Sequence, residues 1–134
     1  MAEYKKIKGY TIQVTDTDPV VYAGAWSSGG NLNQGRLGMM SSGGGTLTAG
    51  LVFGGYKNDS AAAEETESYN GTAWTELADL NTSRNDLSGL GTYTSALAIT
   101  GAPARAIVEL WNGSSWTETT DISTSRQNTG TAGA

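Results

Sequence analysis

The side chains that chemistry would draw on come in pairs in this chain. Glu67 and Glu109, Glu76 and Glu118, and Asp79 and Asp121 each stand 42 residues apart, and so do Arg84 and Arg126. Two carboxylates, one of them held protonated, are what glycoside hydrolysis needs. A reacting group, however, is needed once, whereas a residue needed once per structural unit belongs to the scaffold on which sites are grafted. The chain has no histidine and no cysteine. That removes imidazole bases, serine–histidine triads, thiolate chemistry, disulfides and the commonest metal ligands together. Asp16 and Asp18 in "DTD" offer two oxygens to a calcium ion, but two acids are ordinary loop composition. The expectation is a protein without catalysis, metal or cofactor.

A length of 134 residues suggests one domain. Glycine is abundant (19 residues), phenylalanine occurs once, and much of the rest is Ser, Thr and Ala. Such a chain buries area by close approach of flat sheets rather than by bulky side chains. Four Trp and six Tyr at regular places argue against disorder. The net charge of −5 argues against a nucleic-acid partner with a broad basic footprint. The cluster Lys5, Lys6, Lys8 reads as a solvated terminus. No apolar run approaches a membrane span, and no apolar stretch follows the N-terminal lysines as a secretory signal would require. The Asn-X-Ser/Thr sequons, Asn70-Gly-Thr72 among them, read as turns rather than glycosylation sites.

What must position these residues is a repeat. "YNGTAWTELADLNTSR" (69–84) returns as "WNGSSWTETTDISTSR" (111–126). Trp26, Trp74 and Trp116 mark the starts, each followed ten residues later by Arg36, Arg84 and Arg126. After each arginine comes a run of small residues. The unit is 42 to 48 residues long; the length difference sits after the arginine and at "YKNDSAAAEET" (56–66), whose counterpart is the shorter "APAR" (102–105).

Within a unit the pattern predicts four short strands: roughly 86–91, 95–100, 106–111 and 115–119. Asn70-Gly71 and Asn112-Gly113 predict two-residue type I′ hairpins between the third and fourth strands. "SAAAEETES" (60–68) reads as a loop or one frayed turn. In "AGLVF" (49–53) and "SALAI" (95–99) both faces are apolar, one large and one small. A strand of that kind is covered on both sides. Sheets must then stack, large face against small, about 10 Å apart. Stacked four-stranded sheets at this repeat length describe a β-propeller.

The order arginine, glycine-rich strand, apolar strand ending in Gly54-Gly55, Tyr or Trp, Asn-Gly turn, Trp resembles the kelch repeat over residues 24–134. In the second unit the doublet has become Thr100-Gly101, and the Gly-His and Trp-Asp marks of WD40 blades are absent. "GTLTAGLVFGGY" with "TESYNGTAWTELADLNTSR" is similar to kelch-like arrays in structural proteins of marine tailed phages, and so is the opening "MAEYKKIKGYTIQVTDTDPV" (1–20). The resemblance implies all-β, kelch-like blades, about two complete ones in 21–134, with residues 1–20 an arm that attaches to other virion proteins. It implies a structural part of a virion, such as a tail fibre or a capsid-decorating fibre, that binds itself or the host surface. A free carbohydrate-binding lectin is the competing reading, with Trp74 and Trp116 stacking on sugar. Kelch-fold copper oxidases use histidine and a cysteine-linked tyrosine, which this chain cannot supply.

Under this reading Trp26, Arg36, Gly54, Gly55, Glu67, Asn70, Gly71, Trp74, Arg84, Glu109, Asn112, Gly113, Trp116 and Arg126 are blade architecture. The arginines are expected to be buried between blades, each forked onto a Glu or backbone carbonyls. Residues that break the repeat, Tyr56, Lys57, Asp59, Tyr93 and Arg105, are the candidates for a ligand or partner. Propellers close with about 4–8 blades. Two blades, a fourth strand expected near 21–27 and a first strand near 128–133 therefore predict a homo-oligomer or an assembly with other chains. Three copies giving six blades is the favoured closure, and a filament is the result if the contact does not close.

Overall fold

A computed structural model of the chain describes residues 28–41 and 45–132, and every element in them is a strand, turn or loop. The expectations for the 1–20 arm, the lysine cluster, Asp16, Asp18, Trp26 and the 21–27 strand lie outside the described residues. Ten strands follow in order: β1 (Arg36–Leu37), β2 (Met40–Ser41), β3 (Gly50–Phe53), β4 (Tyr56–Lys57), β5 (Thr66–Tyr69), β6 (Trp74–Glu76), β7 (Ser88–Thr92), β8 (Ser95–Ile99), β9 (Val108–Trp111) and β10 (Trp116–Glu118). They form two four-stranded antiparallel meanders. The first sheet runs β2-β3-β5-β6 and the second β7-β8-β9-β10; β1 and β4 make a separate two-stranded ladder.

Register explains the stacking. In the second sheet Ala98 lies opposite Glu109 and Gly89, and Ala96 opposite Trp111 and Gly91. These make the small face, widened at one end by tryptophan. In the first sheet Phe53 lies opposite Met40 and Thr66, and Leu51 opposite Ser68. This large face packs onto the small face of its neighbour. Leu51, Phe53, Ala96, Ala98, Trp111 and Trp116, with Leu80 and Leu87, form one buried cluster. Phe53 and Trp116 meet edge to face at 4.9 Å, and Trp116 Nε1 donates across the interface to Thr66 Oγ1 at 2.9 Å. The small side chains let the sheets approach closely enough for these contacts, and the aromatics fill the wider end.

Three sequence expectations are corrected. Residues 66–68 of "SAAAEETES" are strand β5, and only 60–65 are loop. Of the first strand expected near 128–133, the described residues 128–132 form no ladder of their own. They lie along β7 instead: Asn128 N–H donates to Asp86 O at 2.9 Å, Thr131 Oγ1 to Gly89 O at 2.6 Å, and the Ser88 hydroxyl meets Thr129. The hairpins are not type I′ turns on Asn-Gly. Gly71 and Gly113 have φ of 95°, but the asparagines do not share the positive φ that type I′ demands. Each asparagine sits one place earlier and closes the turn with its side chain. Asn70 Oδ1 accepts from Thr72 and Ala73 N–H, and Asn112 Oδ1 from Ser114 and Ser115 N–H, all at 2.9 Å. The short amide replaces a backbone carbonyl as acceptor.

The two units repeat at the level of single bonds. Leu77 N–H to Thr66 O matches Thr119 N–H to Val108 O; Leu80 to Glu64 matches Ile122 to Ala106; Arg84 to Ala63 matches Arg126 to Arg105. Two residues past each arginine the backbone turns left-handed, at Gly38 (φ 59°), Asp86 (φ 49°) and Asn128 (φ 54°). Glycine, aspartate and asparagine are the types that tolerate this conformation. Three such starts are therefore present, and two sheets to receive them.

Candidate functional site

Each sheet is locked to the segment that leads into it by the same three side chains. Arg36 forks between the Glu67 carboxylate and Glu65 O, the latter at 2.5 Å. Arg84 binds the Glu109 carboxylate and adds Ala98 O and Thr82 O, each at 3.1 Å. The second carboxylate oxygen is taken by an asparagine three residues before the arginine. Asn33 donates its backbone N–H (2.7 Å) and amide (3.0 Å) to Glu67. Asn81 donates both to Glu109 at 2.8 Å. The same amides reach Trp74 O and Trp116 O at 3.1 Å, which ties the third and fourth strands together. Both ion-pair side chains are shut off from solvent in each lock. A buried charge is tolerable when most of its lone pairs and protons are engaged in this way; Nε of both arginines has no partner among the described residues.

The Arg84 lock also joins the sheets. Its backbone is held by the first unit, through Ala63 O at 3.0 Å and Gly55 N–H at 3.0 Å, while its side chain is held by the second. Gly54 and Gly55 make room for this. A β-carbon on Gly54 would stand 2.8 Å from Arg84 O, and one on Gly55 2.7 Å from Leu37 O. At Thr100 the second unit keeps the left-handed backbone (φ 63°) without glycine.

Arg126 departs from the expectation of burial. Its backbone repeats that of Arg84, exchanging hydrogen bonds with Arg105 and accepting from Gly101 N–H at 3.2 Å. Its residue is nevertheless exposed. The physical reason is the missing partner, since the glutamate that would complete the lock belongs to the sheet that follows, and none follows Arg126 among the described residues. Arg105 stands directly across from it, two like charges that oppose one another, where the first unit has the buried Ala63.

The repeat-breaking residues do not form one cluster. Tyr56, Lys57, Asp59 and Arg105 lie on the connections between second and third strands, at one end of the sheets. Tyr93 lies in the β7–β8 turn at the other end. Tyr56 donates to Asp86 at 3.3 Å; loss of hydration and then the Asp86 charge push its phenol above the ordinary value. Lys57 pairs with Glu65 at 2.5 Å, and that bond, against some desolvation, holds its ammonium above the usual range. Asp59 caps its own turn through Ala61 N–H at 3.0 Å. Tyr93 gives its carbonyl to Trp111 Nε1 at 3.0 Å. The side chains of Tyr56, Lys57 and Asp59 are committed to contacts within the fold, and Tyr93 is tied through its carbonyl. Sequence reasoning passed over Asn33 and Asn81; the signal was an Asn three residues before the arginine in two of the three copies.

The tryptophans divide by position. Trp111 and Trp116 pack at 5.4 Å and are buried between the sheets. Their counterparts Tyr69 and Trp74 pack at 5.0 Å but stay half-exposed on the outer face of the first sheet, Trp74 Nε1 donating to Gly30 O at 3.1 Å. Among the described residues no group of three acidic side chains converges as a metal site would require, and no helix is long and apolar enough to cross a membrane. No protein-family model matches the chain, and no curated protein matches it.

Proposed function

We propose that the chain is a non-enzymatic structural component of a phage virion, of the tail-fibre or capsid-fibre kind, assembling through kelch-like blades of a β-propeller. The observation that carries the assembly part is the repeated lock. Glu67, Glu109, Arg36 and Arg84, the most chemically capable residues of the repeat, are buried in ion pairs, Arg36–Glu67 fastening the first sheet to its lead-in and Arg84–Glu109 joining the two sheets. Their geometry serves stacking, and it recurs once per sheet as scaffold residues do. Face-to-face stacking of four-stranded meanders is the construction of a propeller. The virion assignment draws on the sequence likeness of the repeats and of residues 1–20 to phage structural proteins. Peptide mass spectrometry of purified phage particles encoding the chain tests it. The chain should be recovered in stoichiometric amount with the other virion proteins; its absence from intact particles overturns the assignment.

One observation favours the second reading, a carbohydrate-binding propeller. The half-exposed Tyr69–Trp74 pair, its rings tilted by 36° to one another, offers aromatic faces of the kind sugars stack upon. A glycan-array signal that Trp74→Ala abolishes would support it.

A further inference from the structure

The outer faces of the two sheets are the two halves of the interface already present inside the chain. The large face of the first sheet is covered by the second. The equivalent large face of the second sheet, formed by Leu90, Leu97, Ile99, the buried Val108 and Leu110, has no sheet upon it among the described residues; only residues 128–132 lie along its β7 edge. Leu97 lies opposite both Leu90 and Leu110, and the three surround a depression of about 330 Å³. Leu110 is 39 % exposed, whereas Leu51 and Phe53, which match Leu97 and Ile99, are buried. At the opposite end of the stack the first sheet presents Tyr69 and Trp74, the counterparts of the buried Trp111 and Trp116.

We propose that a second copy of this chain docks here head to tail, setting the Tyr69–Trp74 face of its first sheet on the leucine face of the second. The proposal rests on the assembly reading above and names its contact. Its occupant follows from continuity with the internal interface. The exposed leucines require an aromatic-bearing face of the same register, and the chain displays one at its other end. Two different surfaces meet, so the contact is heterologous and repeats. It gives a ring if the rotation closes and a filament if it does not.

The junction would hold duplicate connectors. Arg126 and the strand-like residues 128–132 of one copy arrive where Arg36 and β2 of the next already stand, and Glu67 has room for one arginine. Arg36 holds that glutamate, buried and supported by Asn33. Exposed Arg126 has no carboxylate partner among the described residues and is the one to yield.

Sedimentation velocity of the purified full chain over a wide concentration range, without added glycan, tests the contact. Wild-type protein is expected to self-associate. Leu110→Lys and Trp74→Lys each spoil one half of the contact and should weaken association by about tenfold or more, with unchanged far-ultraviolet circular dichroism. Mixed, the two variants should form one-to-one dimers and nothing larger, because each retains the face the other lacks. A wild-type chain that stays monomeric overturns the proposal. So does association unaffected by Trp74→Lys, or a mixture that stays monomeric, since either result means like faces pair or other surfaces meet. None of these outcomes depends on whether the chain is found in virions, so the two readings fail separately.

Discussion

Arg84 and Arg126 are the same residue written twice. They share the preceding Thr-Ser, the backbone bonds to the loop of the earlier unit and the left-handed residue two places on. One is wholly buried and the other exposed. The difference lies 25 residues downstream of Arg84, where Glu109 reaches back to it. Arg126 has no such glutamate after it among the described residues. The aromatic pairs make the same contrast in the other direction, for Trp111–Trp116 is covered by a preceding sheet and Tyr69–Trp74, among the described residues, is not. Burial in this fold is conferred by the neighbour, and the motif only prepares for it.

The largest break in that comparison should come at the completed lock. Glu109→Ala leaves a buried guanidinium with its carboxylate gone, and an unfolding free energy lower by about 3–5 kcal/mol is expected in urea denaturation. Replacing both partners, Arg84→Met with Glu109→Leu, should recover part of that loss, because the stranded charge disappears with its partner. A double variant no more stable than Glu109→Ala would show that the pair is held by more than mutual neutralisation. Next in size is Trp116→Ala, which empties the space beside Phe53 and should cost about 3 kcal/mol. Trp74→Ala, on the uncovered face, should cost about 1 kcal/mol in the same measurement. Equal losses at the two tryptophans would mean the covered and open faces do not differ in packing.

Smaller effects sharpen the contrast between the turns. Gly71→Val places a branched side chain at a φ of 95° and within 3.0 Å of Thr48, so about 1 kcal/mol or more is expected. Gly113→Val meets only Thr94 O at 3.4 Å, and the loss should be limited to the backbone part. Parallel melts of the two variants check the difference. The smallest effect belongs to Arg126→Ala, a change within about 0.5 kcal/mol in the isolated chain. A loss approaching that of the buried lock would show that Arg126 has a partner in solution.

Much of the second sheet was legible because its signals are local. Alternation in 95–99 and the Trp-Thr-Glu after the Asn-Gly placed β8 and β10 to within a residue. The first sheet was harder because its buried residues are polar. Thr66, Glu67 and Ser68 look like loop composition, yet Thr66 receives Trp116 from 50 residues away and Glu67 receives Arg36 from 31 away. Those partners make burial tolerable, and no window around 66–68 contains them. The turn register was missed for a related reason. The dipeptide rule assigns both residues to the backbone turn, while here the asparagine acts through its amide. The two-residue ladder of β1 with β4 offers no periodicity to read. The side of Arg126 that matters is a contact the strand pattern cannot supply.

The lock reaches forward. Arg36 with Asn33 and Arg84 with Asn81 each belong to the end of one unit and are completed by the glutamate of the next. A stretch such as 85–126 therefore carries both the glutamate that answers the arginine before it and a new arginine at its own end. A gene that copied those 42 codons in tandem after Arg126 would give that residue its missing carboxylate with no other change. Unequal crossing-over between the related stretches 69–84 and 111–126, which agree at nine of sixteen positions, would make such copies. Lineages could then lengthen or shorten the array by whole sheets, and selection would act on the connecting loops while the seams stayed fixed.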